Sequence, residues 1–241
     1  MGNVLRNQAE IDAARSRLDA AGASALRGSR LWRWIAAYVP GVGALRPPVG
    51  DRLKSWDVLA AIDWIEAHLL PDDPILDLGC YGSEILPALR RRGFRRLSGI
   101  DLRRGVGRMP AAESIEYVRG DFMSAPFADA AFAAITAIST IEHGYDGDAL
   151  FGEVARLLRP HGAFFFSFDY WPAKIDAADT RLFGLDWRIF SRGEVDEMLA
   201  VARRHGLEPD APFDLDVSEP VIHWEGRRYT FAALVLRKSG L

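Results

Sequence analysis

Four short apolar runs in the middle of the chain are each followed by a residue type that can bind a ligand. Asp77 and Gly79 close the first run, Asp101 ends the second, Asp121 follows the third, and His143 follows the fourth. Ligands of open α/β sheets bind at the carboxyl ends of the strands, so these residues meet at one edge if the runs are strands. Carboxylates accept hydrogen bonds from hydroxyl and amino groups, and a neutral imidazole can accept a proton. The spacing therefore predicts one composite site.

The residue type at each position suits a ligand made of an amino acid, a sulfonium and an adenosine. Gly79 lacks a Cβ, so the backbone can approach the ligand closely, and Asp77 offers negative charge to the ammonium side. Asp101 stands where a carboxylate can accept both ribose hydroxyls. Asp121 can accept from the adenine amino group, with Phe122 stacking beside the base.

A nicotinamide dinucleotide is the competing ligand for a glycine-rich turn followed by a later acid. Such a site requires the pattern G-x-G-x-x-G at the opening of a helix. Here Asp77 occupies the position two residues before Gly79. A carboxylate there would repel a pyrophosphate that approaches the helix N-terminus, so the sequence favours the sulfonium ligand.

Apolar periodicity predicts the elements that position these residues. Short apolar runs alternate with helical stripes, which indicates βαβ units around a parallel sheet. We predict strands at Ile75–Leu78, Leu97–Asp101, Ile115–Arg119, Phe132–Ile138 and Ala163–Phe168, followed by an antiparallel pair formed by Phe213–Val217 and Tyr229–Lys238. Helices are predicted at residues 8–21, 29–38, 55–70, 83–92, 148–158 and 191–206, with Ser55 and Asp57 as start-of-helix residues and Ser191 with Glu194 as a capping box.

The proline- and glycine-rich stretch from residue 40 to residue 50 divides the chain into two parts. We predict an N-terminal helical appendage at residues 1–50 and a main domain at residues 51–241. The appendage contains Trp32 and Trp34, and the main domain begins near Trp56. These tryptophans either form part of a lid on the ligand or serve as core cover or an oligomer contact.

Composition excludes several classes of protein. The formal net charge of -3 gives no overall attraction to nucleic acid or to an anionic membrane surface. Cys80 is the single cysteine, which excludes an intramolecular disulfide and a thiolate zinc site. The apolar run from Trp34 to Leu45 is interrupted by Pro40 and is too short to span a bilayer. We therefore expect a cytoplasmic protein with no membrane contact.

The motifs ILDLGCYGSE, GIDL, GDF, ISTIEHGY and RLLRPHGAFFFS occur in that order between about Asp51 and Lys238. In this order they resemble the class I S-adenosylmethionine-dependent methyltransferases, particularly the broad group that acts on small molecules. The resemblance implies a doubly wound α/β fold, with a mostly parallel seven-stranded sheet, an antiparallel C-terminal strand and flanking helices. It also implies S-adenosylmethionine as the cofactor. The cofactor contacts are expected at Asp77, Gly79, Asp101, Asp121 and Phe122, to which we add Cys80, Tyr81, Leu102 and Ser139.

The glycine-rich motif departs from the family pattern at two positions. The family shows an acidic residue followed by three alternating glycines, whereas here Tyr81 replaces the middle glycine and Ser83 the last. The tyrosine either obstructs the methionine part of the cofactor or turns outward and walls it. A binding module that keeps the cofactor without catalysis is therefore one alternative function.

His143 is the candidate catalytic residue, because a neutral imidazole can take a proton from a hydroxyl as the methyl group arrives. The alternatives are that Glu142-His143 is a common family turn, and that alignment alone is sufficient for catalysis. We predict no metal site, since no second histidine or carboxylate pair stands nearby at ligand spacing. Aromatic residues between Asp169 and Phe190 suggest a lid that holds a sugar ring or planar acceptor, or else local packing.

The expected reaction is methyl transfer to oxygen, and in second place to nitrogen, of a small molecule or a glycan unit. A nucleic acid is not the expected partner, and a homo-oligomer is allowed. The alternative of an RNA-modifying enzyme depends on the arginine cluster between Arg90 and Arg108. That cluster is either a basic patch or a solvated helix end.

Overall fold

The computed structural model describes residues 3–22, 39 and 48–240. The predicted helix at 29–38, most of the predicted connector, and Trp32 and Trp34 lie outside these residues. The helices of the described chain are α1 (Gln8–Ala20), α2 (Ser55–His68), α3 (Ile85–Arg91), α4 (Gly147–Leu157) and α5 (Arg192–Arg204). None of them is both long enough and apolar enough to cross a membrane.

The strands form one large mixed sheet and a separate hairpin. The strands are β1 (Ile75–Leu78), β2 (Leu97–Asp101), β3 (Glu116–Arg119), β4 (Phe132–Ile138), β5 (Leu158–Tyr170), β6 (Arg181–Leu182), β7 (Leu185–Asp186), β8 (Leu207–Pro209), β9 (Ile222–Trp224) and β10 (Arg227–Lys238). The sheet has the order β3-β2-β1-β4-β5-β10-β8, with β9 paired to β10, and β6 pairs with β7. The strands from β3 to β5 are parallel, and β10 is antiparallel to β5.

Two apolar cores cover the two faces of this sheet. Ile75 and Phe165 belong to the core that contains the buried residues of α1, α2 and α3. Their chain neighbours Leu76 and Phe164 belong to the core that contains α4 and α5. Because successive strand residues point to opposite faces, this alternation places helices on both sides of the sheet. The doubly wound, mostly parallel fold predicted from the sequence is confirmed.

The described N-terminal residues share the core of the main sheet. The Leu5 amide donates to the Phe231 carbonyl on β10 at 2.9 Å, and Val4 forms an isolated bridge with Ala232. Ile11 and Leu18 on α1 are buried in the same core as α2. The division of the chain at residue 50 stays a prediction.

The predicted strand at Phe213–Val217 is wrong. Residues 213–217 form no regular element, and the short strand β8 pairs with Leu236–Lys238 of β10 instead. The segment does alternate apolar and polar residues, but only Leu215 is fully buried. Arg6 donates to the Asp214 carboxylate at 2.8 Å and to the Asp216 carbonyl at 3.1 Å, which holds the segment as an irregular connection.

Both predicted helix starts agree with the structure, but only one of them has a side-chain cap. The capping box at the start of α5 is confirmed, because Ser191 and Glu194 each receive a backbone hydrogen bond from the other residue. As predicted, α2 begins at Ser55 and has Asp57 in its first turn, although its N-cap is Lys54, without a side-chain cap. Ser55 instead donates to the Arg52 carbonyl at 2.5 Å.

A buried ion pair joins α1 to the start of α3. Arg15 is 1% exposed and its guanidinium pairs with the carboxylate of Glu84, which is also 1% exposed. The Arg15 Nε also donates to Ser55 Oγ at 2.9 Å. Glu84 directly follows the turn after β1, so the pair connects the N-terminal helix to that turn.

Candidate functional site

The carboxyl ends of β1, β2 and β4 bring their following turns together. The sheet order places β1 between β2 and β4, so the strand order changes direction here. The Gly79 amide donates to the Ile100 carbonyl at 2.9 Å, and the Tyr81 amide donates to the Asp101 carboxylate at 3.0 Å. Such a switch point is where open α/β sheets bind their ligands.

Gly79 meets two requirements that exclude any other residue type. Its φ of +71° lies in the left-handed region, and an added Cβ would lie 2.6 Å from the hydroxyl of Thr140. The close approach joins the turn after β1 to the segment after β4. The sequence-based reason for a glycine, close backbone approach, therefore applies to Thr140 as well as to a ligand.

Asp77 is fully buried at the end of β1 and only half satisfied. Its Oδ1 accepts a hydrogen bond of 2.7 Å from the Thr136 hydroxyl, whereas its Oδ2 has no partner among the described residues. Burial raises the pKa of Asp77 to about 7, against the lowering effect of the Thr136 hydrogen bond. A buried carboxylate oxygen without a donor is costly, and a ligand ammonium group can supply the missing partner.

The raised pKa predicts that Asp77 lowers stability as the pH rises. Between the ordinary value of 3.8 and about 7 the folded protein holds a proton that the unfolded chain has lost. Stability is therefore lost across that window, and Asp77→Asn removes the loss. From pH 4 to pH 8 we expect the stability of the variant to gain about 4 kcal/mol relative to the wild type, measured by urea unfolding. An equal difference at both pH values would contradict the assignment.

Asp101 uses one lone pair on each carboxylate oxygen to fix the two neighbouring turns. Oδ2 accepts from the Tyr81 amide at 3.0 Å, and Oδ1 accepts from the Arg103 amide at 2.7 Å. Each oxygen keeps acceptor capacity for a further donor. Leu102, the next residue, is 52% exposed and offers an apolar surface beside the carboxylate.

The Tyr81 side chain lies on the β2 side of the site. The Arg103 guanidinium stands 5.4 Å from the Tyr81 ring centre and 5.4 Å from the Phe183 ring centre. These distances are within the range of cation–π contacts. Tyr81 therefore forms part of a wall with Arg103 and Phe183, which agrees with the outward-turned alternative for this residue.

The remaining predicted cofactor residues differ in how exposed their side chains are at the carboxyl edge of the sheet. Asp121 is exposed, caps a short 3-10 helix through a 2.9 Å hydrogen bond from the Met123 amide, and is followed by the half-buried Phe122. Cys80 is buried, and its Sγ lies against the backbone of Gly99 on β2. Only the main chain of Cys80 can therefore serve a ligand.

Ser139 has a strained backbone and turns its hydroxyl away from the turn after β1. Its φ is +46°, which is uncommon for a residue with a side chain. The hydroxyl donates to Asp57 Oδ2 at 3.0 Å, and the amide donates to Ser167 Oγ at 2.9 Å. Ser139 thus joins the segment after β4 to α2 and β5, and only its backbone remains for a cofactor.

His143 lies beneath the β6–β7 hairpin. It forms an isolated bridge with Trp187, and its ring meets the Phe183 ring edge-on with centroids 5.2 Å apart. Burial, assisted by Lys54, lowers the pKa of His143 to about 4. The imidazole is therefore neutral near pH 7 and can accept a hydrogen bond. With this pKa it is too weak a base to keep a proton at that pH.

The segment Asp169–Phe190 is more regular than the sequence suggested. β5 continues to Tyr170, and the β6–β7 hairpin follows. Phe183 at the hairpin tip has a φ of +57° and is 73% exposed. Phe183 faces His143 on one side and Arg103 on the other, so the hairpin tip reaches across the carboxyl edge.

Three buried acids behind His143 form an acidic cluster that sequence reasoning missed. We call Asp57, Glu142 and Asp169 the acidic cluster; all three are less than 5% exposed. Their elements are far apart in the sequence, so only the fold brings them together. The signal available in the sequence was Glu142, which the sequence analysis placed with His143 in a common turn.

Among the described residues, Lys54 is the cation beside the acidic cluster. Lys54 Nζ lies 4.0 Å from Asp169 Oδ1 and 3.9 Å from the centre of the Phe231 ring. Burial raises the pKa of Asp57 to about 6 and raises the pKa values of Glu142 and Asp169, with mutual repulsion between the acids adding to the rise at Glu142. The described residues include no group of three or more histidine, cysteine or acidic side chains arranged to hold a metal ion.

Two arginines of the arginine cluster are paired with acids. Arg92 donates to Glu66 at 2.7 Å, and Arg95 pairs with Asp72 at 2.5 Å. These pairs reduce the positive charge that the cluster presents to a polyanion. They favour the interpretation as a solvated helix end.

Known proteins are similar to this chain in the region that carries the site. Residues 76–166 match the family described as a methyltransferase domain. The ubiquinone biosynthesis O-methyltransferase of Azoarcus sp. is 32% identical over 114 residues, which are 44% of this chain and 48% of that protein. The sterol 24-C-methyltransferase of Eremothecium gossypii is 28% identical over 110 residues, which are 41% of this chain and 28% of that protein. The aligned part thus spans half or less of each relative.

Solved structures extend the similarity to most of the fold. A S-adenosylmethionine-dependent methyltransferase from Methanosarcina mazei has a TM-score of 0.57 at 18% identity, covering 73% of this chain and 97% of that one. At this identity the likeness concerns the fold. The chain thus shares the fold of the S-adenosylmethionine-dependent methyltransferases, and residues 76–166 match a methyltransferase domain.

Proposed function

We propose that this protein transfers a methyl group from S-adenosylmethionine to a nucleophilic atom of a small molecule or a glycan unit. The observation that supports this proposal is that the turns after β1, β2 and β4 lie together at the carboxyl edge of the sheet. At this edge Gly79 adopts a left-handed φ, and one buried oxygen of Asp77 has no partner among the described residues. The bound cofactor supplies an electrophilic methyl group on a sulfonium. The residues of the chain bind and orient the two reactants.

The residues at the carboxyl edge fit this cofactor. Asp77 offers its free oxygen to the ammonium group of the methionine part, and the backbone of Gly79 allows the approach. Asp101 offers one further acceptor site on each oxygen to the ribose hydroxyls. Leu102 and Phe122 provide apolar contact for the adenine, and Asp121 accepts from its amino group. Cys80 and Ser139 contribute main-chain atoms, and the Tyr81 ring forms part of the wall of the site.

The acceptor side is proposed to be the region around His143. Two relatives are named for sterol and ubiquinone substrates, which supports a small-molecule acceptor. His143 is neutral and has a buried Nδ1 without a partner among the described residues. We assign it the role of accepting a hydrogen bond from the acceptor and holding the nucleophilic atom in line with the methyl group.

Calorimetric titration of S-adenosylhomocysteine tests the proposal, and Asp101→Ala is the matched variant. We expect the wild type to bind in the micromolar range, and we expect Asp101→Ala to bind about tenfold or more weakly because both ribose contacts are lost. Binding of the wild type that is undetectable at millimolar ligand would rule out the proposed function. Equal binding by both proteins would contradict the role of Asp101.

Assays of product formation and of RNA binding separate the alternatives. A binding module without catalysis would bind the cofactor but give no methylated product from any acceptor. An RNA-modifying enzyme would bind RNA in a salt-dependent manner that weakens when Arg91, Arg92 and Arg95 are replaced by Ala. The absence of disulfide-forming cysteines in the sequence supports a cytoplasmic location, which we include in the proposal.

A further inference from the structure

The members of the acidic cluster differ in how fully their carboxyl oxygens are hydrogen-bonded. Asp57 is well satisfied, since its carboxylate accepts from Ser139 at 3.0 Å, from Ser167 at 2.8 Å and from the Val58 amide at 3.0 Å. Glu142 Oε2, in contrast, is buried without a hydrogen-bond partner among the described residues. A buried carboxylate oxygen requires a donor, and the strongest donors for it are cationic.

The protein itself shows that an ammonium group suits this place. The Lys54 ammonium lies over the face of Phe231 at 3.9 Å and beside Asp169 at 4.0 Å. Trp187 and Tyr229 continue the aromatic surface, with ring centroids 5.8 Å apart, and Trp187 Nε1 donates to Asp169 Oδ2 at 2.8 Å. Carboxylates combined with aromatic faces are the chemistry by which proteins bind organic cations.

The cluster also lies where an acceptor would meet the methyl group. Glu142 directly precedes His143 and follows β4, on the same edge of the sheet as the turn with Asp77. The Arg188 amide donates to the Glu142 carbonyl at 2.9 Å, and the Gly144 amide donates to the Asp186 carbonyl at 2.8 Å. The β6–β7 hairpin and Trp187 therefore form the outer wall of the cluster.

We propose that the acceptor is a small molecule with a cationic primary or secondary amine, and that Glu142, with Asp169 beside it, binds the ammonium group. This inference rests on the proposed methyl transfer and reverses the order of oxygen and nitrogen expected from the sequence. Burial raises the pKa of Glu142, so the free acid holds a proton, and a bound ammonium group favours the carboxylate, which can then take a proton from the acceptor. Its proton affinity exceeds that of His143, which stays a hydrogen-bond acceptor.

The chemical step balances with residues of the chain. The acceptor ammonium gives one proton to the Glu142 carboxylate, which frees the nitrogen lone pair. The nitrogen then forms a bond to the methyl carbon while the carbon–sulfur bond breaks, and that electron pair stays on sulfur. The product is a protonated methylamine, and the proton on Glu142 passes to water when the product leaves.

Glu142→Gln is the variant that tests the role of the carboxylate, with the exposed Glu197→Gln on α5 as its control. The amide has the shape of the protonated acid, so we expect the variant to fold with an unchanged unfolding midpoint. We expect its initial rate of methyl transfer to fall about 30-fold or more. Binding of both S-adenosylmethionine and S-adenosylhomocysteine should stay within about threefold of the wild type by calorimetry.

The acceptor class is read directly from the product. The protein is incubated with ¹³C-methyl-labelled S-adenosylmethionine and the small-molecule fraction of a cell extract, and the labelled product is analysed by ¹³C NMR. An N-methyl signal that is lost with Glu142→Gln and kept with Glu197→Gln is the expected result. An O-methyl or C-methyl signal, or no labelled product, overturns the amine proposal.

Two binding results separate this inference from the proposed function. If Glu142→Gln weakens binding of the cationic S-adenosylmethionine but not of the neutral S-adenosylhomocysteine, the carboxylate serves the sulfonium and the amine proposal is overturned. If the wild type binds neither ligand, methyl transfer itself is overturned. An O-methyl product with intact cofactor binding leaves the proposed function standing and removes only the amine acceptor.

Discussion

Gly79→Ala is expected to abolish measurable binding of S-adenosylhomocysteine, with a loss of affinity of at least about 100-fold, equivalent to roughly 3 kcal/mol. The substitution places a methyl group 2.6 Å from the Thr140 hydroxyl and requires a side-chain residue at a φ of +71°. The turn after β1 must therefore move away from the segment after β4, and the cofactor contacts on both are displaced together. Calorimetry measures the affinity, and urea unfolding measures the accompanying loss of stability.

Gly93→Ala is the control for the backbone strain alone. Gly93 has a φ of +96°, but an added Cβ would meet no atom within 4 Å. This variant should lose about 1 kcal/mol of stability, as expected for a side chain in the left-handed region, and bind the ligand like the wild type. If both variants bind equally well, the close approach of Gly79 to Thr140 is not a requirement of the site.

The positions of the proposed cofactor residues at the carboxyl edge could be predicted because each lies at or just after the end of its own strand. The bounds of β1, β2 and β4 agree with the predicted strands. A residue placed after such a strand must lie at the edge. The positions of Asp77 and Asp101 therefore followed from local pattern and general topology.

The acidic cluster and the edge strand could not be predicted in the same way, because they depend on distant partners. Asp57 is 82 residues from Ser139 and 110 residues from Ser167, so its first-turn position suggested only local helix chemistry. The segment 213–217 has the alternation of a strand, yet β8 occupies the place beside β10. An alternating pattern of apolar and polar residues shows which segments could form a strand. Which segment pairs with β10 depends on which of them occupies that edge of the sheet.

Arg15→Met should lower the free energy of unfolding by about 3 to 5 kcal/mol, because it leaves the Glu84 carboxylate buried without its guanidinium. The double variant Arg15→Met/Glu84→Gln also removes the negative charge of Glu84. It should recover more than half of the lost free energy of unfolding. Arg17→Met is the matched control on the same helix. Its partner is Asp63 at 3.0 Å, and the Arg17 side chain is 61% exposed, so a loss under about 1 kcal/mol is expected.

The Arg15–Glu84 pair also connects stability to binding, because Glu84 lies at the end of the turn that begins at Gly79. If the pair holds that turn in place, Arg15→Met should weaken S-adenosylhomocysteine binding severalfold at a temperature where the variant is still folded. The double variant should restore stability more completely than affinity, since the amide that replaces the Glu84 carboxylate no longer has a guanidinium to orient it. Affinity that recovers in full with stability would show that the turn is positioned by β1 and β2 alone, and that α1 serves only as cover.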